Sequence, residues 1–219
     1  MHQAISMGIK MASEKKSEAT RQRIHAVTAE LFHRKGYLST SMRDIAAAAG
    51  MKSGSLYYYY ESKEALLAAI LNEGIDETIA ALKAALAELP HGSSVRSRFK
   101  AAMVTAMRRI ANSGDMAVAS SRTLELLREA DYAEQARHRQ AYNRFWRDLL
   151  DEGKKRGEIR SSLSDVFASM WAIGAMSFLT EWYDPNRSSI DEVAEEFVKL
   201  LFDGITARKR QAGAASKTS

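Results

Sequence analysis

The chain has 219 residues, 46% of them apolar, a net charge of +5 and no cysteine. That length can bury a core in one large domain, or in one small and one larger domain. The lack of cysteine excludes a disulfide framework, a thiolate zinc site and a cysteine nucleophile, and it fits a reducing cytoplasm.

Charge is placed unevenly. Residues 1–63 hold ten cations against five anions, and the four cations after Ala207 leave the stretch from Glu64 to Ala207 at about −4. A basic lobe on a mildly acidic body is an electrostatic footprint for a polyanion at one end; the plainer reading is a set of solvated helix faces. The first residues lack a sustained apolar core, so no targeting signal is expected, and Met11 offers an alternative start. The longest apolar stretch, Val166 to Thr180, is short of the roughly 20 residues a membrane span needs. A soluble protein is expected, with no membrane partner and with disordered ends at 1–17 and 208–219.

No strand pattern occurs, and Pro90 and Pro185 both lie between helical runs, so the fold class is all-α with about nine helices. The first helix is predicted over Glu18 to Lys35, with Ile24, Val27, Leu31 and Phe32 as its buried stripe and Gly36 where a left-handed C-cap is wanted. A second helix opens on Thr40 or Ser41, carries a Ser41–Asp44 capping box and ends after Ala49 at Gly50. A third runs from about Lys52 to Tyr60, and the short link forces a sharp crossing between the two. This third helix ends in four consecutive tyrosines, Tyr57 to Tyr60. Successive residues turn by about 100°, so four adjacent rings cannot all lie in a core. From Ser62 an apolar pattern through Leu66, Leu67, Ile70, Ile75, Ile79, Leu82 and Leu86 continues to Pro90, longer than a compact head needs, and reads as a connector. Further helices are expected near Val95–Ala111, Met116–Glu129, Tyr132–Arg156, Leu163–Trp182 and Ile190–Ala207. The last two open on Ser162–Asp165 and Ser189–Glu192 capping boxes. Apolar side chains point all round the axis between Val166 and Phe178, so that helix needs cover on every side.

The run from Thr20 to Leu71 resembles the DNA-binding head of the TetR family of bacterial transcriptional regulators. The shared residues are Gly36-Tyr37, Thr40-Ser41, Asp44-Ile45-Ala46, Ala49-Gly50, Gly54-x-Leu56-Tyr57 and Ser62-Lys63-Glu64. The resemblance implies a three-helix helix-turn-helix head at 18–63, joined by the connector to a helical effector-binding and dimerisation body at 64–207. It implies a regulator, most simply a repressor, released from a palindromic double-stranded DNA operator by a small molecule.

In such a motif the second helix enters the major groove by its N-terminal end, where small residues let the backbone approach. Ser53, Gly54 and Ser55 meet that need, and their amides and hydroxyls can donate to phosphates. Arg43 is the candidate for a base contact, because its planar fork matches guanine O6 and N7; binding to phosphate alone is the alternative. Thr40 and Ser41, which open the preceding helix, are candidate DNA contacts, and Lys52 is either a phosphate contact or a solvated turn residue. Leu56 and Tyr60 are assigned to the head's core, Tyr57 and Tyr59 to phosphates, and Tyr58 to sugar or a thymine methyl. Lys63 is a phosphate partner. Tyr59 stands where the family often has histidine, and Tyr60 where it usually has phenylalanine.

No nucleotide-binding or catalytic signature is present, and the five histidines, His25 and His33 among them, have no carboxylate constellation around them. No metal, no cofactor and no enzymatic activity are expected. Phe99, Met103, Met107, Arg122, Trp146, Met170 and Trp171 are candidates for an effector pocket, although methionine and tryptophan at helical spacing more often fill a core. Phe178, Phe197 and Leu201 are candidates for a homodimer interface through the last two long helices, which otherwise pack within their own chain. The stretch Glu181-Trp182-Tyr183-x-Pro185 looks like that of family members responding to acyl-CoA-type or other lipid-derived ligands. Two other readings share the same residues: a ligand-independent architectural DNA binder, and a small-molecule binding protein or enzyme with a relic head.

Overall fold

The computed structural model describes residues 2–112 and 129–203, with side chains over 15–112 and 132–203. Among these residues there are nine helices and no strand. They are α1 (His2–Lys35), α2 (Met42–Ala48), α3 (Ser53–Tyr59), α4 (Lys63–Ala87), α5 (Val95–Asn112), α6 (Glu129–Lys155), α7 (Asp165–Ser177), α8 (Leu179–Trp182) and α9 (Ile190–Asp203). The expected helix at Met116–Glu129 falls outside the described residues except for Glu129, as do Arg122 and the tail 208–219. No described helix is long and apolar enough to cross a membrane.

Local chemistry explains most boundaries. Gly36 takes φ +79° and donates its N–H to Phe32 O at 2.9 Å, and Gly50 takes φ +64°, so each helix ends where only glycine adopts the backbone without strain. Ser41 caps α2 in a full capping box, its hydroxyl accepting from Asp44 N while Asp44 accepts from Ser41 N at 2.8 Å. Hydrogen bonds from the Ser41 side chain and backbone hold the Asp44 carboxyl below its ordinary range. Ser62 caps α4, and the Ser189–Glu192 box opens α9.

Three boundaries differ from expectation. The first helix begins at His2, through a segment expected to be disordered; its residues are mostly good helix formers, with Gly8 the single breaker. The cap of α7 is Ser164, which accepts from Phe167 N, rather than Ser162. The helix expected through Trp182 breaks at Phe178, where the Ser177 hydroxyl donates back to Ile173 O at 2.8 Å and competes with the helical ladder.

The apolar residues form two cores. Ile24, Phe32, Ile45, Leu56, Leu66 and Leu67 centre the head, while Phe99, Met103, Met107, Trp146, Leu150 and Met176 centre the body. Helix α4 enters both, through Leu66, Leu67 and Leu71 at one end and Leu82 at the other. In the body it packs along α5 and α6, α5 packs along α9, and α6 along α7. Fully burying one such aliphatic or aromatic side chain contributes roughly 1.5–3 kcal/mol, so each core can hold its own part of the chain together.

Candidate functional site

Helices α2 and α3 are seven residues each, too short to persist alone, and they are held by Ile45, Ala46, Ala49 and Leu56 in the head core. With those faces inward, Arg43, Lys52, Gly54, Ser55, Tyr57 and Tyr58 are exposed and Ser53 is half-buried. Tyr57 and Tyr58 are the outward rings, 53% and 86% exposed. This group combines a guanidinium, an ammonium, small residues at a helix start and two phenols. It can pair with base edges and phosphates together.

Among the four tyrosines, Tyr60 reaches the head core as its assignment expects, although not by helical phase, and Tyr59 departs from its assignment. Helix α3 ends at Tyr59, and Tyr60 has extended backbone, φ −141° and ψ 120°, so the 100° step does not reach it. Tyr59, expected on phosphate, is half-buried against the head core, its ring edge-on to Tyr58 with centroids 5.6 Å apart. Tyr60 also packs on that core, and burial pushes its phenol up. Its hydroxyl meets His25 Nε2 at 2.6 Å, and His25 Nδ1 in turn bonds Glu73 on α4. His25 has no carboxylate near it in the sequence, and folding brings Glu73 to it. Its partners lie 35 and 48 positions away, where no local spacing flags them.

Two further expected contacts are placed otherwise. Thr40 is 1% exposed, and its hydroxyl donates to Gly36 O at 2.8 Å, which ties the turn before α2 to the end of α1. The Lys63 ammonium donates to Tyr37 O and Thr40 O, each at 2.8 Å, and lies 4.2 Å from the centre of the Tyr37 ring. One of its three N–H groups remains for another acceptor. Lys63 therefore braces the turn against α4, giving Thr40 O a donor and Tyr37 O a second one beside the Thr40 N–H. The Tyr37 hydroxyl donates to Glu64 Oε1 at 2.9 Å, and burial, then this acceptor, pushes the phenol far above its usual range.

In the body, the residues expected to share a pocket separate. Phe99, Met103, Met107 and Trp146 have no exposed surface and fill the core. Trp146 is packed edge-on by Phe99 at 5.1 Å, Phe145 at 5.6 Å and Tyr142 at 6.1 Å, and burial pushes the Tyr142 phenol up to about 12. Met170 and Trp171 instead face outward with Phe178, along a surface cleft of about 590 Å³ that Phe197 and Trp182 also line. The reason is helical phase: α7 gives Ala168, Ser169, Ala172 and Met176 to the core, which leaves Met170 and Trp171 on the other side. Leu201, expected at the dimer interface, packs on the body core. The interior polar atoms without a hydrogen-bond partner include Asn72 Oδ1, Gln135 Oε1 and Trp146 Nε1, on residues 8%, 3% and 0% exposed. Among the described residues no cluster of histidine and carboxylates is arranged to hold a metal ion.

Comparison with known proteins agrees with this arrangement. The family of bacterial regulatory proteins of the tetR type matches residues 24–70, and the tetracyclin repressor-like C-terminal domain matches residues 92–205. The HTH-type transcriptional repressor KstR2 of Rhodococcus jostii is 27% identical over 183 residues, 83% of this chain and 88% of that one. The crystal structure of a TetR/AcrR-family regulator from Thermobifida fusca is 32% identical, with a TM-score of 0.67 over 85% of this chain and 98% of that one. FadR of Bacillus subtilis, solved in complex with stearoyl-CoA, shares the fold at 19% identity, with a TM-score of 0.73 over 84% of this chain and 99% of that one. The chain belongs to the TetR family of bacterial regulatory proteins.

Proposed function

We propose that the protein is a homodimeric transcriptional repressor whose α3 helices enter successive major grooves of a palindromic operator, and that a small-molecule effector in the body releases it. The observation that carries the DNA-binding half is the exposed set Arg43, Lys52, Ser55, Tyr57 and Tyr58 around Gly54, on two short helices whose other faces are locked in the head core. Arg43 reads a base, the hydroxyls and Lys52 hold phosphates, and Gly54 lets the backbone come close. The naming of the Rhodococcus relative as a repressor supports that direction of control.

The dimer reading rests on the outer face of α7, α8 and α9. Val166, Phe167, Met170, Trp171, Phe178, Trp182 and Leu200 are exposed there in a single chain, with Phe167 at 74% and Phe178 at 66%. A patch of large apolar side chains this dense favours a partner, and a second copy covers it with a matching surface. The effector reading rests on Asn72 and Gln135. A buried polar group without a partner costs about 1–3 kcal/mol, which a bound ligand's polar group would recover. The stretch Glu181-Trp182-Tyr183-x-Pro185 and the stearoyl-CoA complex of the Bacillus protein make a long-chain acyl-CoA the first ligand to try.

Three measurements test the parts separately. With a genomic fragment retained by the unmodified protein, Arg43→Ala should lose about 1–3 kcal/mol of preference over a scrambled fragment at fixed salt; an unchanged preference contradicts the base-reading role. Sedimentation should find a dimer for the unmodified protein and a monomer for Phe178→Glu, and a dimer that tolerates the new charge places the interface elsewhere. Stearoyl-CoA should raise the unfolding temperature and lower affinity for the retained fragment, and the absence of both effects removes acyl-CoA as the effector class.

A further inference from the structure

Helix α4 is held by apolar packing at its two ends and by polar side chains between them. Leu71 is its last residue in the head core, and Leu82 is its first in the body core. In the interval Glu73 bonds His25 of α1, Asp76 bonds His138 of α6 at 2.8 Å, and Glu77 and Thr78 bond Arg109 of α5 at 2.8 and 3.0 Å. The same interval is where the helix itself is weakest. Gly74 is a poor helix former with no side chain to pack, and the Thr78 hydroxyl donates back to Gly74 O at 2.7 Å, a contact that bends helices. Directional contacts therefore set the angle of α4 at the point where it bends most easily.

His25 is the contact on the head side, and it reaches two elements at once. Its Nε2 meets the hydroxyl of Tyr60, the residue that ends the recognition helix, and its Nδ1 meets Glu73. The His25 and Tyr60 rings lie 5.6 Å apart, and the His25 side chain is 14% exposed. A neutral imidazole donates to Glu73 and accepts from the phenol, whereas a protonated one donates to both because the phenol oxygen also accepts. The chain of contacts thus survives in either protonation state.

We propose that His25 is a positioning residue for operator binding: the Tyr60–His25–Glu73 chain fastens the end of the recognition helix to the bendable interval of α4, so that the angle of α4 sets the angle of α3. This deepens the regulator reading above and rests on it. When α4 shifts, Glu73 moves with it, and the pull passes through the imidazole to Tyr60 beside the head core that Leu56 and Leu67 share.

The test uses the full chain, Tyr60→Phe, Glu73→Ala, the double variant and Glu73→Gln, with affinities measured at fixed salt. The probes are the genomic fragment that the unmodified protein retains and a scrambled fragment of the same length. Tyr60→Phe and Glu73→Ala should each weaken binding to the retained fragment by roughly five- to tenfold, the worth of one hydrogen bond, while binding to the scrambled fragment stays within about twofold. The double variant should lose no more than either single one, since breaking either link frees the same chain, and Glu73→Gln, which still accepts from Nδ1–H, should recover most of the affinity. Single variants that bind like the unmodified protein, losses that multiply in the double variant, or equal losses on both fragments would each overturn the proposal. If the unmodified protein retains no fragment, the regulator reading fails and the proposal with it; retention with unaltered variants overturns the proposal alone.

Discussion

The structure depends on how one helix is held. Helix α4 is the element common to the head core and the body core, and between Leu71 and Leu82 it contributes to neither. Apolar packing is strong but tolerant of small rotations, because its energy follows area rather than direction. Hydrogen bonds and ion pairs weaken steeply when misaligned, so they define an angle more sharply than they add stability. Placing Glu73, Asp76, Glu77 and Thr78 in the interval, each against a different region of the protein or shared through Arg109, gives α4 a defined setting without locking it. A regulator needs that combination, since an element buried along its whole length would not change state for the few kcal/mol that a ligand supplies.

The two ends of the protein use their side chains in opposite ways. The head turns Leu56 and Ile45 inward and leaves Arg43, Tyr57 and Tyr58 outward, so its small core exists to present a polar face. The body fills its interior with Phe99, Met103, Met107 and Trp146 and leaves an apolar face along α7 and α9. In the proposed reading the outer surface of the body meets a second copy, while that of the head meets nucleic acid. The charge distribution follows the same division, with the cation excess in the first 63 residues.

What could be read in the sequence was local. The caps at Ser41, Ser62 and Ser189 and the glycines at 36 and 50 each act within about four residues, and the head motif is a set of such signals at fixed spacing. What could not be read depends on partners brought together by folding. Tyr60 packs on the head core as its assignment expects, but its bond to His25, 35 positions away, has no local signal. Lys63 looks like any basic residue in a first helical turn, and only the packed turn places two carbonyls over it. The body residues were ambiguous for a different reason: phenylalanine, methionine and tryptophan most often fill a core but also suit a ligand cavity. The phase of Ala168 and Ala172 decides which side of α7 is buried.

The central claim is that the recognition helix and the first half of α4 move as one unit, because the Tyr60–His25–Glu73 chain joins them. Native-state hydrogen exchange on the intact chain tests this most directly, since it reads the opening of each segment separately. The account predicts that amides of α3 and of residues 63–74 share one level of protection and lose it together as denaturant is added, below the level of α5 and α6. Amides of α3 that exchange freely while residues 63–74 keep the protection of the body would contradict it.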